Sequence, residues 1–254
     1  MKHQIKRLLQ WLLGMDNYLL LFSWLSVKRT LNLGSDAELR HFSQVLSGQR
    51  GCIIDVGANI GNTTVPLAIW NTASTVHAFE PVPLNLNVLN KVIGLYRLQN
   101  IVVHNVALGE STGEINMVVP VEGRVLQQGL SHVVGTTEST HAEGLTYTVK
   151  MHRLDDIWAF SEGNNVIGIK IDVENFELEF LKGASAVIRH YRPVVYCEIW
   201  NNHKKPITMA LMASLGYQCY VFRNGKLEKD DGNDNLNYFF LPDTAAAPSG
   251  ILQS

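Results

Sequence analysis

The sequence predicts an α/β fold, a doubly wound and mostly parallel sheet of seven strands, on three observations. Short apolar runs alternate with helical stretches along most of the chain, as in sheets built from right-handed crossovers. One apolar run, residues 52–56, leads through the turn Gly57-Ala58-Asn59-Ile60-Gly61 into a helical stretch and a second apolar run. Only the link between the sixth strand and the last lacks room for a helix, so those two strands are expected to be antiparallel.

Residues 1–46 read as an N-terminal helical segment, 47–242 as the main domain and 243–254 as a flexible tail. In the first segment Ile5, Leu8, Leu9, Leu12 and Leu13 share one helical face, with Lys2, Lys6 and Arg7 elsewhere. A second apolar run covers 18–25. Asp16 and Asn17 separate the two, so no uncharged stretch reaches the ~20 residues of a spanning helix. No small-residue cleavage site follows Leu25, which argues against a signal peptide. Packing of these helices on the domain is the first expectation. A peripheral membrane contact through a basic amphipathic helix is the second, and a true anchor the third.

Residues 35–46 are expected to be helical, with Ser35 or Asp36 as N-cap. The first strand, 52–56, is apolar apart from Asp55, as a buried parallel strand should be. The helix over 62–70 tolerates Pro66 only in its first turn. The second strand, 75–79, ends at Glu80-Pro81. Helical spacing of Leu86, Leu89 and Ile93 marks 82–96, and 101–104 is a short third strand. Residues 112–119 and 145–151 read as extra strands of a β-flap inserted before the fourth core strand, with Arg124, His132 and His141 between them. A short helix over 154–160, the fourth strand over 166–171, a helix over 176–188 and the fifth strand over 194–199 follow. A helix over 207–215 is closed by Gly216, the sixth strand spans 217–222, and Asn224-Gly225 is a hairpin signal ahead of a last strand at 236–241.

A net charge of −2 implies no broad basic surface, so no nucleic-acid partner is expected. Cys52, Cys197 and Cys219 all fall in predicted strands. An odd, buried set reads as reduced thiols in a reducing compartment, hence a cytoplasmic protein, membrane-peripheral under the second reading of the N-terminal helices.

Ligands of doubly wound sheets bind outside the carboxyl ends of the strands. The Gly57–Gly61 turn, Glu80, Asn105 to Ala107, Asp172-Val173-Glu174 and Glu198 all collect there. Glu80 follows Gly61 by 19 positions, close to the roughly 20-residue spacing at which an acid meets ribose hydroxyls. Asn59 replaces the middle glycine of the dinucleotide fingerprint and the later glycine phase is missing. The cofactor is therefore expected to be a nucleoside without a diphosphate, such as S-adenosylmethionine, rather than a nicotinamide. Asp172, Glu174 and Glu198 could also gather a divalent ion, but capping and strand-end roles are the simpler expectation, and no metal is assigned.

The segments at 55–64, 77–81, 105–109, 170–177 and 181–184, with Arg192-Pro193 and Glu198-Ile199, resemble the successive motifs of the FkbM-type methyltransferases over roughly residues 50–220. That resemblance implies a class I methyltransferase fold and S-adenosylmethionine-dependent O-methylation of a sugar, glycan or other small hydroxylated acceptor. It departs at Asn175, where the family has glycine; asparagine is among the few residues that tolerate the left-handed region. On this reading Gly57, Asn59 and Gly61 let the cofactor approach the backbone, Asp55 holds the turn or the cofactor's amino group, Glu80 binds the ribose, and Asn105 and Ala107 flank the adenine. Asp172 and Glu174 are the first candidates for a general base, Glu198 the second, and His132, His141 and His203 weaker ones. A catalytically degenerate binding module on the same fold is the non-enzyme alternative.

Overall fold

The computed structural model describes residues 2–122, 125–126, 131–133, 144–159 and 163–243. Arg124, His141 and the tail from 244 lie outside the described residues.

The chain opens with α1 (Lys2–Leu33) and α2 (Ala37–Val45). The two apolar runs at the N-terminus form one helical element, broken at Gly14 (φ 72°, ψ 162°). Beyond the break its inner face docks: Tyr18, Leu19 and Val27 are buried against Ile60, Val65, Val88 and Val92. Among the described residues no helix is long and apolar enough to cross a membrane. Asp36 caps α2, its carboxylate accepting from the Leu39 N–H at 2.9 Å. Leu39, Phe42 and Leu46 then press on the sheet. They explain Gly168, where a Cβ would meet Leu46 at 2.5 Å and Phe42 at 2.9 Å.

The core alternates as expected: β1 (Cys52–Val56), α3 (Thr64–Trp70), β2 (Thr75–Phe79), α4 (Pro83–Tyr96) and β3 (Ile101–His104). Pro66 sits in the first turn of α3, where its missing N–H costs no helical bond. Next comes the flap, built from β4 (Ala107–Leu108), β5 (Gly113–Glu122), β6 (Val125–Leu126), β7 (His132–Val133) and β8 (Gly144–His152). β5 and β8 pair antiparallel from Gly113↔Met151 to Pro120↔Gly144. The core resumes with α5 (Leu154–Ile157), β9 (Val166–Ile171), α6 (Glu177–Gly183), α7 (Ser185–Tyr191), β10 (Val194–Glu198), α8 (Lys205–Ser214), β11 (Tyr217–Arg223), β12 (Lys226–Lys229) and β13 (Asn237–Pro242).

The main sheet runs β12-β11-β13-β10-β9-β1-β2-β3. β3, β2, β1, β9 and β10 are parallel. β13 is inserted antiparallel between β10 and β11, as the short link requires. Two expectations need correction. The sheet has eight strands, because the Asn224-Gly225 turn returns the chain as the edge strand β12. The expected helix over 176–188 is two helices meeting at Ala184. Gly183 there lies so close to Gly109 that a Cβ would fall 1.9 Å from its carbonyl oxygen.

Candidate active site

The carboxyl ends of β1, β2 and β9 meet at the glycine turn. Gly57 has φ +78°, and a Cβ on it would stand 1.9 Å from the Asp172 carbonyl oxygen, so glycine is obligatory where β1 leaves beside β9. The N–H groups of Gly57 and Ala58 both donate to the Phe79 carbonyl, at 3.1 and 3.0 Å. Gly61 serves packing: its φ is +91°, and a side chain would press Leu89 of α4 at 3.0 Å.

Glu80 ties this turn to the end of β2. Its Oε2 accepts from the Asn59 N–H at 2.9 Å, and its Oε1 from the Val82 N–H at 2.9 Å and Asn85 Nδ2 at 3.1 Å. Burial pushes the carboxyl up to about 7, against the lowering effect of those three bonds. Three of roughly four acceptor positions are occupied, leaving capacity on Oε2.

Asp55 is fully buried beneath the turn. Its Oδ2 accepts from the hydroxyls of Thr63 at 2.9 Å and Thr64 at 2.6 Å. Lys170 Nζ lies 3.4 Å from Asp55 Oδ1 and 3.4 Å from Asp172 Oδ2. Burial works against the charge on Lys170, but Asp55 and Asp172 outweigh it and hold the ammonium above the usual lysine range.

After β9 the chain turns through two left-handed residues, Glu174 (φ 49°) and Asn175 (φ 71°). The glycine-like turn therefore survives with asparagine, whose side chain also works: Asn175 Oδ1 accepts from Asn202 at 2.7 Å. Lys204 Nζ reaches the Asn175 carbonyl at 2.9 Å. Burial raises the Glu174 carboxyl to about 8, with help from the charges of Asp172, Glu198 and Glu177. Burial, then Asp172, also raises Glu198, which accepts from the Trp200 indole at 3.3 Å.

Two cavities flank Asp172. The first, about 650 Å³, is lined by Gly57, Asn59, Glu80, Ala107, Asp172 and Glu174, with Phe79 and Phe176 among its apolar walls. The Phe79 ring is backed by a stack on His104, centroids 4.3 Å apart. The flap roofs this cavity through Ile115, Met117, Ser131 and Val133. The second, about 610 Å³, is polar and is lined by Asp36, Glu38, Lys170, Asp172, Tyr196 and Glu198, with Thr63 and Asn237. There Glu38 Oε2 accepts from Asn237 at 2.5 Å and from the Tyr196 hydroxyl at 3.3 Å.

Six of the ten residues expected at the site thus meet in the first cavity. Glu198 faces the second, and Asp55, Gly61 and Asn105 line neither. Asn105 is exposed, with its neighbours Val106 and Ala107 taking the wall. His132 is buried in β7 and His203 is exposed; neither lines the first or the second cavity. Among the described residues no group of three His, Cys, Asp or Glu is arranged to hold a metal. Sequence reasoning missed Lys170, Glu38, Tyr196 and Asn237. Lys170 had a signal, a cation in an otherwise apolar strand, which needs a buried partner. The other three reach the cavity only through tertiary folding.

The first cavity suits a cationic nucleoside. Among the described residues its lining holds three carboxylates and no Lys, Arg or His. Among the described residues Asn59 Oδ1 and Asn85 Oδ1, both in this lining, are buried without a hydrogen-bond partner. Phe79, Pro81 and Phe176 supply flat apolar walls for a base.

Among solved structures, the chain is similar to the methyltransferase FkbM of Methylobacillus flagellatus KT at 18% identity and TM-score 0.49, covering 85% of this chain. The chain spans about half the length of that protein, 54%. It is also similar to an S-adenosylmethionine-dependent O-methyltransferase of Thermotoga maritima (10% identity, TM-score 0.48, 85% of this chain and 71% of that one). A third likeness is to TYW2 of M. jannaschii in complex with AdoMet (13% identity, TM-score 0.40, 81% and 74%). No curated protein matches. The family model of the methyltransferase FkbM domain matches residues 55–219, well over half of the chain. With its motifs folded around an acid-lined cavity, the chain belongs to the FkbM methyltransferase family.

Proposed function

We propose that the chain O-methylates a sugar, glycan or other small hydroxylated compound, held in the polar cavity across Asp172 from the cofactor. The observation that carries this reading is the position of Asp172 in the lining of both cavities. Methyl transfer needs the acceptor oxygen in line with the sulfonium methyl, so on this reading the acceptor reaches past the Asp172 carboxylate, where the two cavities adjoin. When bound, S-adenosylmethionine supplies a methyl group already activated by its sulfonium, so the protein's part is alignment and proton removal.

Gly57, Asn59, Glu80 and Ala107 form the cofactor's surroundings. The second cavity offers hydrogen-bonding groups of both kinds, the pattern a polyol needs. Its lining has four carboxylates against one ammonium, which disfavours phosphorylated acceptors. Asp172 and Glu198 are the candidate bases. Glu198, pushed up by burial, binds a proton more readily, whereas Asp172 is paired with Lys170. Glu174 stands on the cofactor side and acts there through its charge.

The test is transfer of a labelled methyl group to a panel of sugars and hydroxylated cell extracts. Label is expected in methyl ethers, and Asp172→Asn or Glu198→Gln should lower kcat by about 10²-fold, with cofactor affinity nearly unchanged in Glu198→Gln, which lies outside the first cavity. Label recovered in amines or thioethers would overturn the O-methylation. Cofactor binding without turnover on any acceptor would leave a binding module.

A further inference from the structure

Beyond Gly14, α1 has two apolar faces, and only one is used. The inner face is buried on α3 and α4. The outer face carries Leu21 (39% exposed), Phe22 (45%) and Leu25 (52%), and Trp11 (78%) stands exposed ahead of the break. Lys28 and Arg29 follow one turn after Leu25, both exposed. Lys28 Nζ sits 4.1 Å above the Trp24 ring, which fixes a cation beside the apolar stripe.

Charge is divided unevenly along the chain. Residues 2–33 hold five cations (Lys2, Lys6, Arg7, Lys28, Arg29) and one anion, Asp16, a balance of +4 within a chain of −2, so the remainder carries −6. Asp16 is itself engaged, by Lys91 at 3.1 Å. A second copy docking on this face would set its own Lys28 and Arg29 against these two cations. An anionic bilayer surface matches the basic charge, accepts the apolar stripe, and suits tryptophan at the headgroup level.

We propose that the outer face of α1, around Trp11, Phe22, Leu25, Lys28 and Arg29, docks the protein on anionic lipid surfaces, lying in the interface without spanning it. The reading is independent of the methyl acceptor.

The experiment is co-sedimentation of the full chain with vesicles of phosphatidylcholine alone or with phosphatidylglycerol, at low and high salt. Binding to the anionic vesicles is expected, weaker by roughly tenfold or more on neutral vesicles or in high salt. Phe22→Ser/Leu25→Ser and Lys28→Glu/Arg29→Glu should each weaken it by about tenfold or more with the thermal midpoint unchanged, since neither pair belongs to the buried face. No sedimentation with either vesicle, or full binding by both variants, would overturn the proposal. So would a concentration-dependent dimer that the Phe22/Leu25 variant abolishes, because that face would then belong to a second copy.

Discussion

Lys170 and Asp55 form an ion pair inside the sheet, 4% and 0% exposed, while Asp172, the other partner of Lys170, is 38% exposed. Removing one member of a buried pair strands the other without solvent, at a cost of about 3–5 kcal/mol. Lys170→Met should therefore lower the urea-unfolding free energy by about that amount. Asp172→Asn should cost about 1 kcal/mol or less, because water replaces what the exposed carboxylate loses. Equal losses from the two variants would place Asp172 in the structural core instead of at the site. Glu174 supports a second expectation. The carboxyl is held up to about 8 by burial and by the charges of Asp172, Glu198 and Glu177. A sulfonium entering the same cavity favours the ionised form, so cofactor binding near pH 7.5 should release protons. Calorimetry in buffers of different ionisation heat measures that release. It should shrink in Glu174→Gln, and undiminished release in that variant would assign it to another group.

At the scale of elements, Ile115 and Met117 of β5 roof the first cavity while leaving the main core alone. Truncating both to alanine should raise the cofactor Kd by about tenfold or more, as buried apolar contact of roughly 1 kcal/mol or more per side chain is lost. The thermal midpoint should fall far less than for a main-core truncation, and unchanged affinity would show the flap standing open over bound cofactor. This roof was legible as an insertion of two alternating segments around 112–119 and 145–151, though nothing in 122–144 signalled that Ser131 and Val133 would reach the cavity. The parallel strands were legible because β1 and β9 are apolar throughout except at Asp55 and Lys170, and those two exceptions pair with each other. The break between α6 and α7 was not: Leu178, Leu181 and Ile188 keep helical spacing across Ala184. Beside the break Gly183 packs against Gly109, a contact distant in sequence. Glu80 was legible by spacing. Its three bonds to the turn and α4, which make it a clamp, depend on backbone geometry that no residue pattern encodes.

For the whole molecule, the fold carries several carboxylates it prefers to keep protonated. Burial lifts Glu80 and Glu177 to about 7 and Glu174 to about 8, and it raises Glu198 as well. A carboxyl raised on folding contributes stability that is complete below its unfolded value near 4.5 and is lost as pH rises through the folded one. Three half-buried histidines act in the opposite sense: His77 is lowered to about 4 by burial and by His104, and His41 and His104 are lowered by burial. Their contribution is complete above about 6.5 and is lost as pH falls below it. Between roughly pH 4.5 and 6.5 the two sets oppose each other, but from about 6.5 to 8 the histidine contribution is flat and only the carboxylates act. The cofactor-free protein should therefore lose stability steadily as pH rises from 6.5 to 8, measured as a falling urea midpoint at constant m-value. Glu174→Gln, which cannot ionise, should flatten the upper part of that slope. Saturating S-adenosylmethionine should flatten it further, because the bound cation stabilises the ionised carboxylates of its cavity. A midpoint that stays level or climbs from pH 6.5 to 8 in the cofactor-free protein would mean that these carboxyls are already ionised in the fold. The acid-lined cavity would then be set up for its cation before the cation arrives.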